Sequence, residues 1–309
     1  MARPVVYVTL SQFCEQDDRP RRLLDAAGFE VRLNRLGRRL LRDELPAVLR
    51  EADAVIAGVE PYDAPVLAAL PRLRCLSRCG IGTEAIDVEA AQRQGIRIYT
   101  TVDEVVEPVA QLTVAMMLAL ARNLPWHAAE SRAGRWTKAT GHLLSEWTIG
   151  LVGFGRIGQA VARLLRPFAP RVVVADPGCE PRQLPEGVEL RSLPALLAEA
   201  DCVSLHASRR AEDGPLVGRA EFAQMKPGSV LVNTARGVLV EEAALLDALR
   251  AGRVAGAALD VFEREPYTGP LAQWPTVLCT PHVATLTAAS RAAMERRSAE
   301  HVVEYFRHA

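Results

Sequence analysis

Short apolar, β-branched runs alternate with stretches of helical periodicity along nearly the whole chain. Runs at 5–9, 29–33, 54–59, 73–78 and 96–100 predict strands, with amphipathic helices at 19–27, 64–70 and 88–94 between them. A second series of strands follows at 148–153, 171–176, 202–207, 229–235, 255–262 and 277–280, with helices at 157–168 and 240–251. Such alternation builds βαβ units with right-handed crossovers, and hence parallel sheets covered on both faces. The expectation is an α/β protein made of two Rossmann-like, doubly wound parallel-sheet domains. A long apolar helix at 108–123 separates the two series and leads into a polar segment around Gly134-Arg135-Trp136. A last helix, 287–306, comes after the second series has ended and is expected to pack back on the first unit.

Composition narrows the classes. At 309 residues the chain suits about two domains, and 49% hydrophobic content supplies their cores. Lys+Arg and Asp+Glu are equal at 37 each, so no global field favours nucleic acid or an acidic membrane. The most apolar stretch, 109–121, includes Gln111 and Thr113 and falls short of the roughly 20 residues that span a bilayer. Met1-Ala2-Arg3-Pro4 runs straight into strand-like Val5-Val6-Tyr7-Val8, so no signal peptide is expected. Six cysteines are scattered without a CxxC or a zinc-ligand spacing. They read as reduced thiols of a cytoplasmic protein that binds no metal.

The strongest motif is Gly153-Phe154-Gly155-Arg156-Ile157-Gly158, a GxGxxG directly after the strand Thr148-Ile149-Gly150-Leu151-Val152. One glycine serves a tight turn, one a close backbone approach to a pyrophosphate, and one the packing of helix on strand. The helix opening there offers unpaired N–H groups and its positive dipole end to phosphates. Asp176 follows Gly158 by 18 residues, ending Val172-Val173-Val174-Ala175, where an acid accepts from ribose hydroxyls. No basic residue follows in Pro177-Gly178-Cys179-Glu180, so NAD is expected over NADP.

Three more segments lie at strand ends, where open α/β sheets bind ligands. In Asn233-Thr234-Ala235-Arg236-Gly237 the arginine fork suits a carboxylate or a polarised carbonyl, though taken alone it reads better as a turn-closing surface residue. Asp260 interrupts the apolar Ala257-Ala258-Leu259 and needs a partner, either a nicotinamide carboxamide or an arginine. Glu265 stands in a charged loop, Glu263-Arg264-Glu265-Pro266. His282 follows Thr280-Pro281, and among the other histidines only His206, in Ser204-Leu205-His206, competes as a catalytic candidate.

Taken in order, GxGxxG with Asp176, Asn-Thr-Ala-Arg-Gly, Ala-Leu-Asp-Val-Phe-Glu-Arg-Glu-Pro and Thr-Pro-His resemble the D-isomer-specific 2-hydroxyacid dehydrogenase family. Ser77-Arg78-Cys79-Gly80-Ile81-Gly82 and the helix at 108–123 resemble its phosphoglycerate dehydrogenase-like branch. The resemblance implies an NAD-dependent oxidoreductase acting on a small anionic 2-hydroxy or 2-oxo acid. It implies Arg236 on the substrate, His282 as acid/base and Glu265 as its charged partner. Asp260, Thr234, Ala235 and Arg236 would line the nicotinamide side, and His206 the cofactor loop. Arg78, Cys79, Gly80 and Ile81 would form the substrate loop. It further implies a discontinuous substrate-binding domain, 1–104 and 285–309, around an NAD-binding domain, 105–284, with the long helix building a homodimer. His206-Ala207-Ser208 stands where the family has His-x-Pro, Glu84-Ala85 where it has Asp-Asn, and Gln111 where it has glutamate.

Two rivals come from other classes. An NAD-linked binding protein resembling the C-terminal-binding corepressors would keep the fold and the Arg–Glu–His set without turnover. A methyltransferase would also open on a glycine-rich turn, but that same set argues against it. The substrate stays open. The resemblance to phosphoglycerate-type relatives implies that Arg78, Arg135 and Lys138 approach a distal anion, as in 3-phosphoglycerate, whereas Arg78 could equally pair with Glu84 or Asp87, and Glu60, in Ala57-Gly58-Val59-Glu60, would repel a phosphate.

Overall fold

The computed structural model describes residues 3–208 and 213–308. The chain divides into two compact units, Met1–Val105 with Thr285–Ala309, and Val106–Ala284. Both are α/β, and both sheets are wholly parallel.

The first unit has five strands: β1 (Val5–Val8), β2 (Glu30–Leu33), β3 (Ala54–Ala57), β4 (Cys75–Arg78) and β5 (Arg97–Thr100). Their order is β2-β1-β3-β4-β5, so the winding reverses between β1 and β3. Period-two alternation sorts the side chains between two cores. Val6, Val8, Ala54, Ile56 and Cys75 meet Met294, Ala299 and Val302 of the helix Ala288–His308 on one face. Val55, Ala57 and Leu76 pack with Leu67 and Ala90 on the other. The last helix of the chain therefore completes the unit that the first strand began.

The second unit has seven: β6 (Thr148–Val152), β7 (Arg171–Ala175), β8 (Val188–Leu190), β9 (Cys202–Leu205), β10 (Ser229–Asn233), β11 (Val254–Leu259) and β12 (Val277–Cys279). They lie in the order β12-β11-β10-β9-β6-β7-β8, with the reversal between β6 and β9. β9 and β10 are buried at every position, as expected of central strands with helices on both faces. The helix Val106–Ala121 sets Met116, Met117 and Leu120 against Ile149, Val174 and Val232, while Leu245 and Leu249 of Glu242–Arg250 cover Leu231 and Leu259 on the opposite side.

The structure departs from the sequence expectation at several points. β8 was not anticipated: it is three residues long, carries Glu189 at its centre and lies at the sheet edge. The long helix stops at Ala121 because Asn123 turns left-handed at φ +51°, and the segment expected to be only polar begins with a further helix, Leu124–Arg132. Strands β6, β7, β9, β10 and β11 end one to three residues before their apolar runs do, because the following residues leave the ladder for the loops that carry the motifs. Among the described residues no helix is long and apolar enough to cross a membrane.

Candidate active site

The glycine loop joins β6 to the helix Arg156–Leu165, and its three glycines meet three different demands. Gly153 has φ +94°, and a Cβ there would lie 2.6 Å from the carbonyl carbon of His206, so only glycine lets the turns after β6 and β9 touch. A Cβ on Gly158 would lie 2.5 Å from the Gly153 oxygen, which keeps helix and turn in contact. Gly155, the N-cap, has open space above its α-carbon. No side chain caps this helix and no acid stands in its first turn, so its leading N–H groups are available to an anion.

Asp176 braces the same loop from the end of β7. Its Oδ2 accepts from Phe154 N–H at 2.7 Å, and its Oδ1 accepts from Gly178 N–H at 2.8 Å. Each oxygen keeps a lone pair for a further donor, so the carboxylate suits a ribose diol while remaining fixed in place. The open Gly155, the uncapped helix and the fixed acid fit a dinucleotide. The residues that would hold it are 153–158 and Asp176.

His206, after β9, donates its backbone N–H to Val152 O at 2.7 Å, and its Nε2 lies 2.9 Å from Ser204 Oγ. Among the described residues its buried Nδ1 has no hydrogen-bond partner. Burial lowers its pKa from 6.5 to about 4, so the ring is neutral near neutrality and does not supply a proton there. It hydrogen-bonds to Ser204, not to the residues of the other strand ends. A stability effect follows from linkage. Below pH 6.5 the unfolded chain protonates this histidine while the folded chain resists until about pH 4, so stability declines through that window. The loss from this residue reaches about 3 kcal/mol. In denaturant titrations at pH 7 and pH 4.5, His206→Gln should lose visibly less stability than the wild type. Equal losses would mean that His206 titrates normally in the fold.

Asn233 ends β10 and folds the arginine turn around itself. Its Oδ1 accepts from Ala235 N–H at 3.0 Å and its Nδ2 donates to Arg236 O at 2.8 Å. The half-buried Arg236 donates to Ala235 O at 2.7 Å. Gly237 packs directly on the backbone after β11: a Cβ there would fall 1.9 Å from Phe262 C. This contact joins the arginine turn to the loop that carries Glu265. The Thr234 hydroxyl is turned into the protein, 2.8 Å from Thr113 Oγ1, which itself donates to Val109 O. Thr234 must therefore donate to Thr113.

Asp260 is fully buried, and its partners within the chain come from the turn after β12. Its Oδ1 accepts from Thr280 Oγ1–H at 2.6 Å and from Val283 N–H at 2.8 Å, and its Oδ2 accepts from Ala284 N–H at 2.9 Å. Its backbone oxygen takes His282 N–H at 2.9 Å. The turn 280–284 is thus wound around one carboxylate, and at its centre His282 is held left-handed at φ +54°. Such a conformation costs a non-glycine residue about 1–3 kcal/mol and persists because its surroundings impose it. His282 Nδ1 lies 2.9 Å from Glu265 Oε2, and Glu265 Oε1 accepts from Phe262 N–H at 3.2 Å. With Nδ1–H given to the carboxylate, Nε2 of the half-exposed ring is left for a substrate oxygen.

In the first unit the loop 78–81 leaves β4. Arg78 folds back, donating to Cys79 O, and its guanidinium lies within 2.8 Å of where a Gly80 Cβ would stand. Gly80 has φ +149°, and Ile81 is exposed. The Cys79 thiol is buried, 3.9 Å from Arg291 Nη1, so this residue offers the loop only its backbone.

The structure therefore brings Glu265, His282 and Asp260 together and ties Arg236 to them through Gly237 and Phe262. Sequence reasoning missed Thr280, whose signal was its place beside Pro281-His282. It also missed Thr113, a lone hydroxyl in an apolar helix that carried no signal.

Comparison with known proteins bears on this set. A family model described as D-isomer specific 2-hydroxyacid dehydrogenase, NAD binding domain, matches residues 114–284. The chain is 40% identical over 252 residues to a D-3-phosphoglycerate dehydrogenase from Mycobacterium tuberculosis, covering 80% of this chain but 48% of that one. It therefore spans about half the length of that relative. A hydroxypyruvate reductase from Thermotoga maritima is 36% identical over 256 residues, 81% of this chain and 83% of its own. Among solved structures, a glyoxylate reductase from Paecilomyes thermophila superposes with a TM-score of 0.86 at 28% identity, covering 97% of this chain and 94% of that one.

Proposed function

The chain belongs to the D-isomer specific 2-hydroxyacid dehydrogenase family, and from that premise we propose that it transfers hydride between a small D-2-hydroxy acid and its 2-oxo acid. The observation that carries the proposal is the His282–Glu265 pair at 2.9 Å, in the same unit as the glycine loop. NAD, when bound, supplies the hydride in reduction and takes it in oxidation. The protein does the rest. His282, protonated, gives its Nε2 proton to the carbonyl oxygen as the keto carbon is reduced, and takes the hydroxyl proton in the reverse direction. Proton transfer of this kind contributes about 10²–10⁴-fold. Glu265 holds the ring by Nδ1 and offsets its charge, and Arg236 binds the carboxylate and polarises the carbonyl. We assign the loop 78–81 to substrate binding as well.

The test is a panel of 2-oxo acids, glyoxylate, hydroxypyruvate and 3-phosphohydroxypyruvate among them, followed by NADH consumption. Turnover of at least one is expected. Failure with every acid while NADH still binds would favour a binding protein instead. The cofactor carries its own prediction. NADH should be preferred clearly over NADPH, because a 2′-phosphate would face Asp176. Asp176→Ala should weaken NADH binding about tenfold and narrow the discrimination, since one charged hydrogen-bond partner is worth about 1.5–3 kcal/mol. Fluorescence titration with both dinucleotides measures it, and equal affinity in the wild type would remove the ribose role.

We further propose a cytoplasmic homodimer. Its six cysteines are free thiols, as in a reducing compartment. The stretch 122–143 holds no buried residue and exposes Leu124, Trp136 and Leu143, with Trp136 88% exposed. A second copy of this surface is the occupant that would cover them.

A further inference from the structure

Arg236 and Glu265 stand on two different loops of the second unit, and the backbone leading to Glu265 is held by the segment that follows Arg236. The hold falls on a single peptide plane, the one joining Phe262 to Glu263. Gly237 packs on its face: a Cβ there would lie 1.9 Å from Phe262 C, 2.0 Å from Phe262 O and 2.4 Å from Glu263 N. Glu242 takes its edge. This residue opens the helix Glu242–Arg250, and its Oε1 accepts from Glu263 N–H at 2.9 Å. The preceding peptide carries the Phe262 N–H, which is given to Glu265 Oε1 at 3.2 Å and leaves Oε2 for His282 Nδ1. A peptide is planar, so a bond that fixes its N–H also fixes its carbonyl and limits how the next plane can tilt.

An acid in the first turn of a helix is favoured by the dipole alone, and Glu242 could be no more than that. Its surroundings say otherwise. The carboxylate is not left in water: burial raises its pKa, the Glu263 N–H opposes the rise, and the Glu263 carboxylate adds to it. Two further groups face it from other elements, the Cys279 thiol on β12 and the Tyr267 hydroxyl beyond Glu265. Burial raises the pKa of both, and the Glu242 charge raises them further. The Tyr267 ring is stacked on that of Phe262 at 4.1 Å, so the side chain of the held residue is fixed as well. A helix-end charge would do its work pointing to solvent, whereas this one reaches a loop peptide 21 residues on.

We propose that Glu242 is a positioning residue for the reaction: by holding the Glu263 N–H it sets the Glu265 carboxylate against His282, in register with the turn that carries Arg236. The inference rests on the dehydrogenase reading above. The part played by Glu242 is geometric, and it acts through Glu265. Without its acceptor the peptide keeps the packing of Gly237 but loses the one directional bond on its edge, and the Phe262 N–H that aims Glu265 tilts with it.

The experiment is a double-variant cycle, read as kcat with NADH on a 2-oxo acid that the wild type reduces. Glu242→Ala should lower kcat about tenfold, a fraction of the ~100-fold that a displacement of about 1 Å can cost, with the KM for NADH unchanged. Glu242→Gln keeps an oxygen for the Glu263 N–H and should recover most of the loss. In a Glu265→Ala background there is no carboxylate left to aim, so adding Glu242→Ala should cost nothing further. A role in the fold alone would instead multiply the loss equally in both backgrounds, and that result overturns the proposal. So does a folded Glu242→Ala with the kcat of the wild type. If Glu242→Ala does not fold, Glu242→Asp keeps the charge but draws the acceptor back by one methylene. It should show the same loss and the same dependence on Glu265, and an unchanged kcat there overturns the proposal equally. A wild type that reduces no 2-oxo acid at all sinks the dehydrogenase reading, and this inference with it.

Discussion

Replacing His282 with alanine is expected to lower kcat by roughly 10²–10⁴-fold while leaving NADH affinity nearly unchanged. The proton donor is lost, but the glycine loop and Asp176 stand at the ends of β6 and β7, and β12, which leads to His282, is at the far edge of the sheet. Stability should not suffer, since the ring is half-exposed and, among the described residues, hydrogen-bonds to Glu265 alone. Removal of the side chain also does not disturb the winding of 280–284, which depends on Asp260 and backbone N–H groups. His206→Gln is the control: its Nδ1 is buried and its ring neutral near neutrality, so turnover should persist. Steady-state rates on whichever 2-oxo acid is turned over, together with NADH titration, decide between the two histidines. If His206→Gln abolishes turnover and His282→Ala does not, the acid/base assignment is reversed.

Much of this site was legible because its residues answer local demands. Gly153, Gly155 and Gly158 differ in what surrounds them, yet each sits at a fixed offset from the end of β6, so the motif could be read from spacing alone. Asp176 was legible for the same reason, being the first polar residue after an apolar strand. The partners of Asp260 were not. A carboxylate inside an apolar run announces that it needs donors, but they come from residues 20 to 24 positions later and two of the three are backbone N–H groups. Backbone donors have no sequence signature. Thr113 and Thr234 are 121 residues apart, joined only because the helix Val106–Ala121 crosses the end of β10. Edge strand β8 escaped because three residues hold too little periodicity to distinguish a strand from a loop. The helix Leu124–Arg132 escaped because none of its residues is buried, so no apolar stripe marks it.

The second large effect is expected at Asp260. Asp260→Asn keeps the volume but replaces an acceptor with an NH₂ group, which then faces either Ala284 N–H or the Thr280 hydroxyl and Val283 N–H across the distances that hold the turn. A buried donor left unsatisfied costs about 1–3 kcal/mol, and here at least one backbone N–H loses its acceptor. The consequence for chemistry is larger than that for the fold. His282 keeps its left-handed φ only because the turn is wound tightly, and once the turn relaxes the ring drifts from Glu265 and from the substrate oxygen. A displacement of about 1 Å at a reacting group can cost about 100-fold in rate. The variant should therefore lose about 2–3 kcal/mol of stability and about 100-fold in kcat. Thr280→Val removes one hydroxyl donor and leaves both backbone donors on the carboxylate, so its losses should be much smaller in both measures. Chemical unfolding and steady-state kinetics on the two variants separate the roles. If Asp260→Asn is destabilised but turns over normally, the carboxylate serves only the core and something else holds His282 in place.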